Sequence, residues 1–212
     1  MAGSYDFEEQ ERLAELKAWW EDNRVAVFAA VVVAALALAG WEGWKVWRER
    51  QAEDAATLYR PVAAAAKAGD AKKVADAAKV LIERQPGSFY ASDAALLVAR
   101  NAFDAGDLPE ARKQLAWVAD HGVDELRPVA RLRLAAVSLD EKKYDEALKL
   151  LDATKEESFA ATAADLRGDV MLAQGRMDEA RASYRVAVDK SGPRNPLKGI
   201  VETKLAALGG GQ

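Results

Sequence analysis

The sequence predicts an all-α protein in which a single N-terminal transmembrane helix precedes a solenoid of helical hairpins. Three observations lead to this fold class. No charged residue lies between Arg24 and Glu42, and after Gln51 apolar residues recur at three- and four-residue spacing, the helical period. One short motif also returns at intervals of 36 and 33 residues, as expected of a repeat protein.

The first elements are an acidic stub, residues 1–24, and a transmembrane helix, residues 25–47. The uncharged run 25–41 reaches the lower length limit for a membrane span. Indole rings favour the headgroup region, so we expect the tryptophans on either side of the run to lie at the two membrane interfaces: Trp19, Trp20, Trp41, Trp44 and Trp47. The helix would then contact membrane lipid.

A cleaved signal peptide is the alternative, because Ala37-Leu38-Ala39 fits the small-x-small cleavage pattern. Signal peptides begin with a short basic segment, whereas the stub is long and acidic, which favours an uncleaved anchor. Basic residues are equally numerous just before and just after the span. Charge therefore does not predict the orientation.

Residues 48–212 are predicted to form the solenoid. Small residues at helix contacts let antiparallel helices approach closely, and a bulky residue fills the space beside them. Three segments repeat this pattern, with the small anchors Ala111, Ala147 and Ala180, the bulky partners Leu115, Leu151 and Tyr184, and the earlier small residues Ala99, Ala135 and Gly168. A weaker first copy places Ala75 near the anchor position.

The pattern resembles the tetratricopeptide repeat, whose period is near 34 residues. It departs from that repeat in lacking the early Trp, and Ala102, Ser138 and Met171 stand where a Tyr is usual.

Local signals agree with helical hairpins. We expect a capping box at residues 107–110, a helix break at 85–88 and Pro128 in a first helical turn. A final capping helix is expected at 197–208, followed by a fraying tail at 209–212.

Composition excludes several kinds of site. The 212 residues include 34 acidic and 30 basic side chains, so the basic excess of a nucleic-acid-binding protein is missing. The lack of Cys and the single His121 exclude zinc–thiolate sites, thiol nucleophiles and paired-His metal sites. We therefore predict no enzyme activity, no cofactor, no metal and no nucleic-acid partner, with His121 in a turn between repeats.

The layout of the whole chain resembles the ancillary SecYEG translocon subunit family. The segment Ala164-Asp165-Leu166-Arg167-Gly168-Asp169, with Gly175 and Ala180-Arg181 after it, carries this resemblance most clearly. The family implies a bacterial inner-membrane protein with a cytoplasmic N-terminus and a periplasmic repeat domain. Implied partners are Sec translocon subunits, periplasmic chaperones and unfolded envelope proteins, which the protein would help after translocation.

The family's groove positions, transferred by register, give the candidate client-binding residues. They are Asp93, Leu96, Arg100, Phe103, Val129, Leu132, Ala136, Leu139, Thr162, Asp165, Asp169 and Leu172. Stacked hairpins present such residues on one concave face, and the apolar middle suits a client segment with hydrophobic side chains better than a free carboxylate.

Arg127 or Arg131 is expected to pair with Asp165 or Asp169 across the seam between repeats.

The alternative function is a cell-envelope assembly or structural tetratricopeptide module, either anchored in the membrane or released from it by signal cleavage.

Overall fold

A computed structural model describes residues 3–209, with side chains described from Arg12 onward. All regular structure in this part of the chain is helical, which confirms the predicted all-α class. The elements are α1 Gly3–Lys67, α2 Ala71–Arg84, α3 Phe89–Asp104, α4 Leu108–His121, α5 Arg127–Asp140, α6 Tyr144–Ala153, a 3-10 turn Glu157–Phe159, α7 Ala160–Ala173, α8 Met177–Lys190 and α9 Pro196–Ala207.

The chain divides into two units, residues 1–51 and residues 52–212, and α1 contributes to both. In the first unit, α1 contains a window with a mean hydropathy of 2.2, none of which is buried. The five flanking tryptophans are exposed, and the Arg48 guanidinium lies 4.7 Å from the ring centre of Trp44. A helix this apolar and this exposed is consistent with a membrane span.

The second unit consists of successive helical hairpins. The part of α1 from Ala52 onward pairs with α2, and α3–α4, α5–α6 and α7–α8 follow, with α9 after the last pair. The buried residues form four clusters, each shared by helices that are close in sequence. This local pattern of contacts is the one expected of a solenoid.

The repeat anchors lie where the spacing predicts. Ala111, Ala147 and Ala180 are fully buried, and their bulky partners are buried beside them. The Gly168 backbone lies very close to the Tyr184 ring, since a Cβ built on Gly168 would lie 2.3 Å from Cε1 of Tyr184. Only glycine fits beside that ring.

The predicted register of the first copy was wrong by one residue. Val74 is fully buried and lies four residues after the cap Asp70, as Ala111 lies four residues after the cap Asp107. Ala75 is only half-buried. A valine occupies the anchor position in this copy, so a search for alanine falls on its neighbour.

The helix ends follow the predicted signals with two differences. The Asp107 carboxylate accepts a hydrogen bond from the Glu110 N–H at 3.1 Å, but the Glu110 side chain binds Gln114, so only half of the capping box forms. His121 is the last residue of α4 and stacks on Trp117, with ring centres 6.1 Å apart. It therefore does not lie in the turn.

The remaining helix ends agree with expectation. Ser88 caps α3 after the predicted break, and Pro128 lies in the first turn of α5. The final helix, Pro196–Ala207, is close to the predicted 197–208. Most of the predicted fraying tail, residues 210–212, lies outside the described residues.

Candidate functional site

The candidate groove residues differ widely in accessibility. Leu96 and Leu132 are 5% and 7% exposed and pack inside two of the core clusters. Asp165 is also buried. These three side chains stabilise the hairpins and offer little surface to a partner, so the apolar middle of the predicted groove is closed at Leu132.

The other candidates remain accessible on α3, α5 and α7. Phe103 is 43% exposed and Leu172 38% exposed. We call the accessible set the first-helix face, and it comprises Asp93, Arg100, Phe103, Val129, Ala136, Leu139, Thr162, Asp169 and Leu172.

A cavity of about 320 Å³ opens on this face between α3 and α5. Its floor is apolar and consists of Ala99, Leu115 and Val137, each at most 3% exposed. The α4 residue Leu115 reaches the cavity because it fills the space beside the small Ala99. The repeat motif that packs the hairpin thus also forms the bottom of the cavity.

The rim of the cavity carries two arginines, Arg100 on α3 and Arg133 on α5, together with Phe103 and Ala136. Arg133 was not among the predicted residues. It lies four residues after Val129 and therefore on the same side of α5. Helical spacing from the predicted positions was the signal that could have found it.

The rim is positively charged. Nε of Arg100 lies 3.7 Å from Oδ2 of Asp104, one turn along the same helix, and both side chains are largely exposed. Such pairs contribute little. Arg133 is exposed, and no described side chain forms an ion pair with it. Neither guanidinium is strongly held within the protein.

Acidic residues elsewhere on the face are bound internally. The Tyr59 hydroxyl donates a hydrogen bond to Asp93. Burial, followed by that hydrogen bond, raises the pKa of Tyr59 to about 12. At the other end, Nζ of Lys204 on α9 lies 2.7 Å from Asp165 and 2.8 Å from Asp169.

Tyr184 completes this second cluster, because its hydroxyl donates to Asp169 at 2.7 Å. Burial raises the pKa of Asp165, the hydrogen bond from Lys204 lowers it, and the neighbouring Asp169 carboxylate raises it again, so the net effect is a raised pKa. Burial alone would lower the pKa of Lys204, but its hydrogen bonds to the two carboxylates outweigh burial, and the net effect raises that pKa. The cluster holds α9 against α7 and α8.

The predicted pairing of Arg127 or Arg131 with these aspartates was wrong. Arg127 binds Asp124 at 2.8 Å, and Arg131 lies 3.5 Å from Glu156. Each arginine finds an acid in a nearby connection between helices. The two aspartates instead pair with Lys204, which lies on a helix more than thirty residues later in the sequence.

Within the part of the chain that the structure describes, no three His, Cys, Asp or Glu side chains are placed to hold a metal ion.

Solved structures with a similar fold include "MamA 41-end from Desulfovibrio magneticus RS-1", with a TM-score of 0.57 and 20% identity. The match covers 73% of this chain and 84% of that one. "MamA RS-1 ArsTM double mutant" gives a TM-score of 0.54 at 18% identity, covering 74% and 95%. At these identities the likeness shows the fold alone.

A family model described as "Tetratricopeptide repeat-like domain" matches residues 17–210. The "Ancillary SecYEG translocon subunit" of Neisseria gonorrhoeae (strain ATCC 700825 / FA 1090) is 32% identical, over 95% of this chain and 97% of the relative. The protein of the same name from Escherichia coli (strain K12) is 31% identical, over 94% and 96%. The chain therefore belongs to the ancillary SecYEG translocon subunit family and carries a tetratricopeptide repeat-like domain.

Proposed function

We propose that this protein is an inner-membrane-anchored, protein-interaction scaffold of the Sec translocon. The observation that carries the proposal is the extent of the family match, 206 aligned residues that include both the apolar helix and the repeats. Because the relatives share both units with this chain, we infer that each unit has the same role in them: the helix anchors the protein, and the repeat domain binds other proteins.

The proposed topology has residues 1–24 in the cytoplasm, residues 25–47 in the membrane and residues 48–212 in the periplasm. The exposed apolar window and its flanking tryptophans support the span. The orientation rests on the family relationship, because the basic residues do not favour either side.

In the finer proposal, the repeat domain acts like a chaperone for periplasmic and outer-membrane proteins after translocation, alongside periplasmic chaperones. The cavity between α3 and α5 supports this role. Cavities of about 150 Å³ bind benzene in other proteins, so a space of about 320 Å³ is large enough for one aromatic or branched side chain of an unfolded client. Phe103 on the rim and Leu172 on α7 are further exposed apolar side chains of the first-helix face.

A second candidate is a cell-envelope assembly module released by signal cleavage, which the accessible Ala37-Leu38-Ala39 segment supports. The intact mass of the mature protein separates the two candidates. The scaffold proposal predicts the full chain, whereas loss of residues 1–39 would favour the released module.

Affinity purification of the full chain in mild detergent, followed by mass spectrometry, tests the main proposal. Sec translocon subunits should co-purify, and they should be lost when the apolar helix is removed. Protease added to spheroplasts should digest the repeat domain and leave the stub. Absence of Sec subunits from the purified material would refute the scaffold proposal, and protection of the repeat domain would refute the topology.

A further inference from the structure

We propose that the cavity between α3 and α5 receives one apolar side chain of an extended client segment, while Arg100 and Arg133 bind the carboxylate of an acidic residue two positions away. The inference rests on the proposed function, because it presumes that the first-helix face binds polypeptide. It adds the chemical class of the client: apolar and acidic residues in alternation.

The apolar half of the site is built into the hairpin core. Ala99, Leu115 and Val137 are almost fully buried and cannot turn away from the cavity, and Phe103 borders it with part of its ring exposed. A floor of fixed aliphatic groups has no hydrogen bond to offer. It therefore favours an aromatic or branched side chain over a polar one.

The charged half follows from the rim. Arg100 and Arg133 stand on different helices at the same opening, and Nε of Arg100 lies 3.7 Å from Oδ2 of Asp104 on its own helix. Guanidinium groups bind carboxylates through paired hydrogen bonds. Two guanidiniums without a strong internal partner make this part of the face complementary to an anion.

The other charged residues of the first-helix face are acidic. Asp93 at one end is held by Tyr59, and Asp165 and Asp169 at the other are held by Lys204. Each of these two clusters keeps a net negative charge, because a phenol is neutral and one ammonium balances only one of two carboxylates. The two arginines at the cavity are thus the place on this face where an acidic side chain would be attracted rather than repelled.

The geometry of an extended chain sets the spacing. Side chains of adjacent residues point to opposite sides, so residues two apart face the same surface, about 7 Å from each other. Residues two apart can therefore place an apolar side chain in the cavity and a carboxylate at its rim, while the residue between them faces solvent. Rim and floor are then occupied by one short segment.

The test measures binding of labelled peptides to the full-length protein in detergent micelles by fluorescence anisotropy. The peptides are acetylated and amidated, so that they carry no terminal charge, and they share one sequence with Phe-Ser-Glu at its centre. Changing Glu to Gln should weaken binding about fivefold, as expected for a solvent-accessible charge pair. Changing Phe to Ala should weaken it about tenfold or more, because an apolar ring loses its buried contacts.

The protein variants locate the effect. Arg133→Gln should reduce the difference between the Glu and Gln peptides, and Arg100→Gln combined with Arg133→Gln should remove it. Ala136→Phe should weaken every Phe peptide by filling the cavity. The matched control is Arg185→Gln, which changes an exposed arginine on α8 outside the cavity. It should leave all affinities unchanged. Arg133 and Arg185 are both exposed, so circular dichroism should show both glutamine variants folded.

Three results would overturn the inference. Equal affinities for the Glu and Gln peptides would eliminate the carboxylate. A Gln peptide with a free C-terminus that binds more tightly than the capped Glu peptide would show that the site prefers chain ends instead. Peptide binding insensitive to Ala136→Phe would place the client on another surface. None of these results changes whether Sec subunits co-purify with the protein, so the proposed function is tested separately from this inference.

Discussion

Substituting alanine for Gly168 should destabilise the last hairpin, although alanine normally strengthens a helix. The added Cβ would lie 2.3, 2.5 and 2.9 Å from three atoms of the Tyr184 ring. Carbon atoms pack at about 3.5–4.0 Å, so the ring would have to retreat by about 1 Å. Tyr184 is fully buried, and its hydroxyl is bonded to Asp169, which Lys204 also binds. The ring therefore has little freedom to move.

The expected change in the free energy of unfolding is the sum of opposing effects. Overpacking of a buried site costs about 1–3 kcal/mol, and weakening the hydrogen bond from Tyr184 to Asp169 costs about 1 kcal/mol more. Replacing glycine by alanine within a helix returns about 1 kcal/mol. The net loss in the free energy of unfolding should be about 1–3 kcal/mol, measured by denaturant titration followed by circular dichroism.

The chain supplies a matched control in Gly199, a glycine inside α9 with no atom within 4 Å of an added Cβ. Gly199→Ala should raise the free energy of unfolding by about 0.5–1 kcal/mol. If Gly168→Ala behaves like Gly199→Ala, the close packing against Tyr184 is wrong.

A double variant tests the cause. The two preceding hairpins pair an alanine with a leucine, Ala99 with Leu115 and Ala135 with Leu151. Gly168→Ala combined with Tyr184→Leu would copy that pairing in the last hairpin. The two changes should therefore cost less together than the sum of their separate costs, and simple additivity would contradict the steric explanation.

Three further predictions follow from other parts of the molecule. Ala147→Leu should lower the free energy of unfolding by about 1–3 kcal/mol in denaturant titrations, because Ala147 is fully buried at a helix contact; an unchanged midpoint would show that the site has spare room. Lys204→Met should lower it by about 1.5–3 kcal/mol, because Asp165 and Asp169 lose the hydrogen bonds to their shared cation in a partly buried site. The pKa of Lys204 is raised above its ordinary 10.5 in the folded protein, so its stabilising contribution is present below that pH and is lost as the pH rises through the raised value. Thermal melts should accordingly show the wild type losing more stability above about pH 10.5 than Lys204→Met does, and parallel losses would contradict the role of the ammonium. Val33→Asp should cost about 2.5–3.5 kcal/mol of membrane insertion and shift protein into the soluble fraction on carbonate extraction; Val33→Leu is the control, and full retention of the Asp variant would count against a span at this position.

The fold was largely predictable because repeat packing depends on residues close in sequence. Ala111, Ala147 and Ala180 could be placed by spacing alone, since an anchor and its bulky partner lie on one helix four residues apart. Prediction failed where a repeat deviates from the pattern. Val74 occupies a position where the other repeats have alanine, so the alanine pattern predicts Ala75 instead.

The site was predictable only in part, because its polar contacts join distant segments. Asp165 and Asp169 share a helix face, which the sequence shows, but no local signal identifies Lys204 as their partner. Arg133 was missed for a different reason. Arg133 is not one of the groove positions of the repeat, although it lines the cavity and lies one turn from two predicted positions on α5.

Site-specific photo-crosslinking tests the central claim most directly. A photoreactive amino acid at position 136, in the cavity, should crosslink to an envelope protein arrested during translocation, and the crosslinked complex should contain Sec translocon subunits. The same amino acid at position 185 on α8 should give little product. Equal crosslinking from both positions, or none from position 136 while the translocon is occupied, would contradict a scaffold that binds clients through its first-helix face.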